Sequence, residues 1–192
     1  MKIGVIVGST RRGRKGDQVG HWVARHAAEQ NEVQGAQAEF EVVDLADHKL
    51  GFYEDEVHPA GANKQYADPA TQTWSDLIDG FDAFIFVTPE YNHSVPAPMK
   101  NAFDMLFHEW ARKAVAFVSY GAGGGIRAVE HWRAIVANAH MLDARSQLTV
   151  FLETDFVNDV FTPNPQLETN LTGVVDELLQ LTRASKTLRV NA

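Results

Sequence analysis

A doubly wound α/β domain, built on a parallel sheet with helices on both faces, is the fold this sequence predicts. Strand-like and helix-like segments alternate along the chain. Two central segments are apolar almost throughout, as strands covered on both faces must be. Unusual Gly-, Pro- and Arg-bearing turns follow three of the strands, where an open parallel sheet places its ligands. Five strands separated by four helices imply βαβ units with right-handed crossovers. The 192 residues fit one domain, spanning 1–192, with a continuous core.

The elements follow in order. "KIGVIVG" (2–8) is a β-branched run closed by Gly8. Val19, Trp22, Val23 and Ala27 recur at helical spacing and predict a helix over 17–30. In "AEFEVVDL" (38–45), Phe40 and Val42 share one face and Glu39 and Glu41 the other. Residues 46–71, rich in Gly, Pro, His and Asp, read as a long functional loop or a loosely packed excursion before a helix near 72–80. "FDAFIFVT" (81–88) and "KAVAFVSYG" (113–121) are the two apolar strands. Between them Met99, Phe103, Leu106, Phe107 and Trp110 predict a helix over 97–110, whose apolar stripe belongs to the core with surplus width for a second subunit. Val129, Trp132, Val136 and Ala139 predict a helix over 125–141, and a strand near 145–152 and a helix near 167–184 complete the set.

Composition narrows the function. The formal charge of −8, from 25 acidic and 17 basic side chains, argues against a general nucleic-acid binder. Cysteine is absent, which excludes disulfides, thiolate nucleophiles and cysteine metal sites. No stretch approaches the ~20 apolar residues of a membrane span, and the run from Ile3 to Val7 lacks the pattern of a secretory leader. The expectation is a soluble, cytoplasmic protein without membrane or nucleic-acid partners. His21, His26, His131 and His140 show no zinc-ligand spacing, and Ser9 and Ser119 stand outside G-x-S-x-G.

Three turns carry the candidate chemistry. "GSTRRGRKG" (8–16) lacks the Walker and dinucleotide glycine patterns. It offers the Ser9 and Thr10 hydroxyls, the Arg11 guanidinium and amides opening a helix, a set suited to one terminal phosphate; a solvated basic turn is the alternative. "PEYNHSVPAP" (89–98) sets Pro89, Glu90, Tyr91 and Asn92 after a buried strand, with Pro98 suited to the first turn of the next helix. It either lines a flat heterocycle or is a braced turn whose Tyr91 and Asn92 bond locally. "YGAGGG" (120–125) allows close backbone approach and anion-binding amides; a flexible hinge is the other reading.

Taken together, "GSTR", "TPEYNHSVPAPMKNAFD" and "SYGAGGGIRAVEHWR" resemble the NADPH-dependent FMN reductase family, with similarity over roughly residues 2–160. The resemblance implies a flavodoxin-like fold, bound FMN, NADPH or NADH as donor, and small aromatic acceptors such as flavins, quinones or azo compounds. It implies that Ser9 and Arg11 hold the FMN phosphate and that Pro89, Glu90, Tyr91 and Asn92 flank the isoalloxazine. Ser119, Tyr120, Gly121 and Gly124 would lie nearby, with Gly124 admitting the cofactor. FMN would carry the chemistry without a catalytic side chain, in a homodimer or homotetramer.

One departure stands out. Many relatives place a serine shortly after the arginine, whereas this chain reads Arg12-Gly13-Arg14-Lys15-Gly16-Asp17. Asp17 then serves as a helix N-cap, its carboxylate turned from the phosphate. That leaves Ser9, Thr10, Arg11 and the amides near Gln18 and Val19 as the cradle. Arg12 and Arg14 suit the 2′-phosphate of NADPH, or are simply solvated. A flavodoxin-type electron carrier and a flavin-binding interaction protein without NADPH turnover stay open as alternatives.

Overall fold

Five parallel strands form the sheet that the apolar runs predict. In the computed structural model, which describes residues 1–33 and 37–190, β1 (Lys2–Val7), β2 (Glu39–Asp44), β3 (Ala83–Pro89), β4 (Ala114–Gly121) and β5 (Leu142–Phe151) lie in the order β2-β1-β3-β4-β5. This is the flavodoxin-like doubly wound order, with its switch point between β1 and β3. Register sets Val7 beside Val87 and Pro89 beside Tyr120. The carboxyl ends of β1, β3 and β4 therefore finish side by side at one rim.

The strands feed two cores. On one face α1 (Gly16–Val33) brings Val19 and Trp22 against Ile3, Val5, Ile85 and Val118. Between β2 and β3 the chain forms a 3₁₀ turn (Leu45–Asp47), the one-turn α2 (Pro59–Ala62) and α3 (Pro69–Asp79). With α4 (Ala97–Asp104) and α5 (Ile126–Asn138), α3 packs Trp74, Ile78, Phe103 and Trp132 on Ile6, Phe84, Phe86 and Phe117 of the opposite face. Burial from both sides explains the unbroken apolar runs of β3 and β4. Three buried indoles each find an acceptor: Trp74 Nε1 donates to Ala102 O (2.8 Å), Trp110 Nε1 to Phe103 O (3.0 Å) and Trp132 Nε1 to Thr88 Oγ1 (3.1 Å). None of these three indoles is thus buried at the cost of an unpaired donor.

The helix expected over 97–110 stops at Asp104. The buried carboxylate of Glu109 accepts from Phe107 N (3.1 Å), Ser75 Oγ (2.6 Å) and Tyr66 Oη (3.0 Å), holding the following residues in turns. Met99, Phe103, Leu106 and Trp110 are buried within this chain, and Phe107 of the same stripe is half-buried. Residues after β5 form an unpredicted hairpin of β6 (Phe156–Val157) and β7 (Val160–Phe161). Its link, Asn158-Asp159, is left-handed at both positions (φ 49° and 66°), as a type I′ turn requires. Helix α6 (Pro165–Val190) is longer than expected and packs Leu171, Val175 and Leu178 beside α1. Among the described residues no helix is long and apolar enough to cross a membrane.

The approach of α1 to the sheet depends on Gly20, where a Cβ would fall 2.4 Å from Val7 Cγ2. Gly173 in α6 has nothing within 4 Å of the same position. In denaturant titrations Gly20→Ala lowers stability by about 1–3 kcal/mol through overpacking. Gly173→Ala raises it by about 0.5–1 kcal/mol through helix propensity and chain entropy.

Candidate functional site

The first turn leaves β1 with Gly8 N donating to Val87 O (2.9 Å), which ties it to β3. Arg14 N closes on Arg11 O (3.1 Å) around left-handed Gly13 (φ 68°), the pattern of a type II turn. The four cations of this turn have different tasks. Arg14 pairs with Asp44 at the end of β2 (2.5 Å), and Lys15 pairs with Asp159 of the hairpin turn (2.6 Å). Arg14 is therefore not left for a nucleotide phosphate. Arg12 is exposed, while the exposed Arg11 rests its guanidinium on two neutral oxygens of its own turn, Arg12 O (3.2 Å) and Gly13 O (3.3 Å). A phosphate is a far stronger acceptor than either carbonyl.

Helix α1 begins at Gly16, so Asp17 lies inside its first turn and not at the cap. There an acidic residue complements the helix dipole. Val19 is buried, and its amide already reaches Lys15 O (3.4 Å), so the available first-turn amides are those before it. The Gln18 side chain grips the hairpin, donating to Asp159 O (3.0 Å) and accepting from Phe161 N (2.8 Å).

The second turn is a tight reversal in which Tyr91 and Ser94 exchange both backbone hydrogen bonds (3.0 Å each) around left-handed Asn92 and His93. Ser94 Oγ meets His131 Nδ1 (2.9 Å) on α5, and Tyr91 Oη meets Ser9 Oγ (2.8 Å), which joins the second turn to the first. Pro89 is buried at the end of β3. Glu90 N donates to Tyr120 O (3.3 Å), joining the second turn to the third. The Glu90 carboxylate faces α5: Arg127 N donates to Oε2 (3.0 Å), and Arg127 Nε (2.7 Å) and Nη2 donate to Oε1. Burial opposes ionisation there, but Arg127 and the α5 amides hold the carboxyl below its ordinary value. The Glu90 side chain thus ties the second turn to the start of α5.

In the third turn Gly124 N closes on Gly121 O (3.1 Å), and the buried Ser119 hydroxyl donates to Gly124 O (2.7 Å). Ser119 braces the turn from beneath. Gly124 (φ 72°) and Gly125 (φ 76°) are left-handed. A Cβ on Gly124 would fall 2.2 Å from Thr149 Cγ2, so the chain's own packing requires this glycine. Ala122 and Gly123 form the exposed tip beside the guanidinium of Arg127. Arg127 lies inside the motif, yet its role depends on a contact with Glu90 that no local pattern records.

Tyr120 is buried and points its hydroxyl at the start of α1, where a Cβ on Gly16 would fall 2.5 Å from the oxygen. Burial raises its ionisation well above the usual phenol value, so it stays a neutral donor. Among the described residues, buried side-chain polar atoms without a partner are Arg14 Nε, Asp17 Oδ1, Tyr120 Oη and Asn31 Oδ1. Three of these four belong to residues of the first turn, the start of α1 and the tyrosine aimed at it. Beside Thr10 opens a cavity of about 540 Å³ lined mainly by apolar side chains, including Leu45, Leu50, Phe52 and Pro98. The undefined stretch after β2 supplies one wall of it, held by Asn101, which donates to Gly51 O (2.8 Å) and accepts from Tyr53 N (3.0 Å).

This geometry accords with the comparisons. The family model described as NADPH-dependent FMN reductase matches residues 1–154. The chain belongs to that family. Members similar to it include an NAD(P)H-dependent FMN reductase of Saccharomyces cerevisiae, 40% identical over 129 residues, which are 65% of this chain and 68% of the relative. An NAD(P)H:quinone oxidoreductase of Solanum tuberosum is 37% identical over 94 residues, 47% of this chain and 42% of its own. Two other fungal FMN reductases are matched over 60% and 63% of their length. The fold is shared with FerB, a flavoenzyme NAD(P)H:(acceptor) oxidoreductase from Paracoccus denitrificans, at a TM-score of 0.72 and 21% identity, covering 96% of this chain and 98% of that one.

Two outcomes test the site's construction. Glu90→Gln in this FMN reductase family member lowers stability at neutral pH by about 2 kcal/mol, the worth of hydrogen bonds to a charged group. Because the folded carboxyl lies below its ordinary value of 4.5, that contribution is complete above 4.5 and is lost as the pH falls through the folded value. Parent and variant denaturation midpoints therefore converge in acid. Gly124→Ala destabilises the flavin-free protein by about 1–3 kcal/mol through overpacking, whereas Gly123→Ala, which meets only the tip of Arg127, leaves its midpoint nearly unchanged.

Proposed function

We propose that this chain is an FMN-containing oxidoreductase that takes hydride from NADPH, or NADH, and reduces small aromatic acceptors: flavins, quinones or azo compounds. The observation that carries this reading is the set of unpartnered buried polar atoms on the first turn, the start of α1 and the tyrosine aimed at it, with Arg11 exposed on the same turn. Buried polar groups without partners are uncommon, and their grouping marks a place where a ligand completes the hydrogen bonding. The donor set fits one phosphate: Ser9, Thr10, Arg11 and the first-turn amides of Gly16, Asp17 and Gln18, with the Tyr120 hydroxyl close by. Asp17 is the one group there that repels an anion, and its unpartnered oxygen suits a hydroxyl or water instead.

In this reading Pro89, Glu90, Tyr91 and Asn92 form one wall for the flavin ring, with Glu90 acting through Arg127. Ser119, Tyr120, Gly121 and Gly124 hold the other wall, where the Ala122 and Gly123 amides face outward and favour negative charge. Gln18 and Val19 position α1. FMN held there would supply the hydride and two-electron chemistry that links a nicotinamide donor to an acceptor, with water as the source of the remaining proton. The protein's part is orientation and electrostatics, which accounts for the lack of a catalytic side chain. The apolar cavity beside Thr10 has the size and lining for a small flat acceptor. Ile126, Phe151 and Leu152, exposed near the third turn, supply an apolar rim for a second copy in a homodimer or homotetramer. The 192 residues form a single domain and work in the cytoplasm.

The decisive assay mixes FMN-loaded protein with NADPH and menadione, FMN or an azo dye. Sustained NADPH oxidation is the expected result, whereas an electron carrier or interaction protein gives none. In a flavin titration Arg11→Ala raises the FMN dissociation constant about 10–100-fold, the value of a charged hydrogen bond. Lys15→Ala, whose ammonium is held by Asp159, changes it less than about threefold by the same scale. Equal losses refute the phosphate assignment.

A further inference from the structure

At the opposite, amino-terminal edge of the sheet lies a cavity of about 630 Å³ that the reduction site does not use. Lys64, Arg112, Lys113 and Arg189 line it against a single carboxylate, Asp79, in a chain whose formal charge is −8. Lys113 immediately precedes β4, and its side chain is only 5% exposed. Its Nζ donates to Ile78 O (2.9 Å) and Asp79 O (3.0 Å). The Asp79 carboxylate is shared, 2.6 Å from Lys64 and 3.8 Å from Lys113. Arg189 turns to Asp82 (3.4 Å), which also pairs with Lys186 (2.8 Å). Arg112, exposed, donates to Leu188 O (3.3 Å), a last-turn carbonyl of α6, and no carboxylate pairs with it among the described residues.

The backbone supplies a second observation. Lys64, Arg112 and His140 all stand in the left-handed region (φ 63°, 60° and 57°), where side chains are disfavoured relative to glycine. Arg112 N donates to His140 O (2.9 Å), which ties two of them together. Strained positions that keep long polar side chains around one cavity point to a task for those side chains.

We propose that this cavity binds a small organic phosphate, with its anionic group among Arg112, Lys113 and Lys64 and its carbon part along Phe107 and His108. Guanidinium and ammonium donors in excess of carboxylates match the several acceptor oxygens of a phosphate. The cavity's volume falls in the range of small-ligand sites. It lies at the amino ends of the strands, so its occupant does not compete with a ligand at the three-turn rim.

The test is calorimetric titration of FMN-loaded protein with adenosine monophosphate, repeated in the presence of inorganic phosphate. Saturable binding of the nucleotide to one site is expected, weakened when phosphate competes. Arg112→Gly lowers the nucleotide's affinity at least about tenfold, yet unfolds at a higher denaturant concentration than the parent because glycine relieves the left-handed backbone. NADPH turnover is unchanged in that variant. Lys64→Gln also lowers the affinity. Nucleotide binding that Arg112→Gly leaves intact, or no heat of binding from either probe, overturns the proposal.

Discussion

One carboxylate, that of Glu90, holds the candidate site in shape. Turns at strand ends are ordinarily the mobile part of an α/β protein, because the sheet no longer satisfies their backbone. Here the Glu90 amide crosses to Tyr120 O, and its side chain crosses to the first amide and the guanidinium of Arg127. Two turns that are far apart in sequence become one wall. The energetic weight lies in the cap more than in the ion pair. The Arg127 side chain is 52% exposed, and exposed pairs contribute little, whereas an amide donating to a carboxylate at a helix start is charge-assisted and directional. The Ser9–Tyr91 contact extends the same connection to the first turn.

Of the four basic residues after β1, two are exposed and two are held by carboxylates. Arg14 and Lys15 fasten the turn to β2 and to the hairpin, leaving Arg11 and Arg12 to meet an anion. Fastening from two sides fixes the α1 amides in advance. A preorganised set of donors binds an anion with less ordering cost than a flexible basic loop would. Local charge is thus divided between building the cradle and filling it.

How much was legible follows from how far each signal reaches along the chain. β3 and β4 are legible because burial on both faces makes them apolar at every position, and the three turns are legible because glycine and proline punctuate them. The end of α4 was not: Phe107 and Trp110 keep helical spacing, and the buried acceptor that draws the chain out of the helix, Glu109, finds its partners at Tyr66 and Ser75. The hairpin of β6 and β7 was missed because two-residue strands have no period, though Asn158-Asp159 is a type I′ pair by composition. The basic turn looked uniform in sequence. Only the fold separates Arg14 and Lys15, whose carboxylates lie 30 and 144 positions away, from Arg11. The glycine run makes Gly124 legible, but the neighbour that would meet its Cβ, Thr149, belongs to β5 and lies beyond any local pattern.

The polarity of a doubly wound sheet accounts for the charge at both of its edges. Helices run against the strands, so their amino ends, carrying partial positive charge, gather at the carboxyl rim where a phosphate is held. Their carboxyl ends gather at the other edge and call for cations. Lys113 answers that demand directly by donating to the last carbonyls of α3, Ile78 O and Asp79 O. Arg189 and Lys64 answer neighbouring carboxylates. Arg112 does for α6 what Lys113 does for α3, donating to the last-turn carbonyl Leu188 O; it pairs with no carboxylate among the described residues and keeps a backbone conformation that glycine would adopt more readily. The fold's own electrostatics therefore engage all four cations around that cavity, and Arg112, exposed and held by one neutral carbonyl, is the one freest to meet the proposed phosphate.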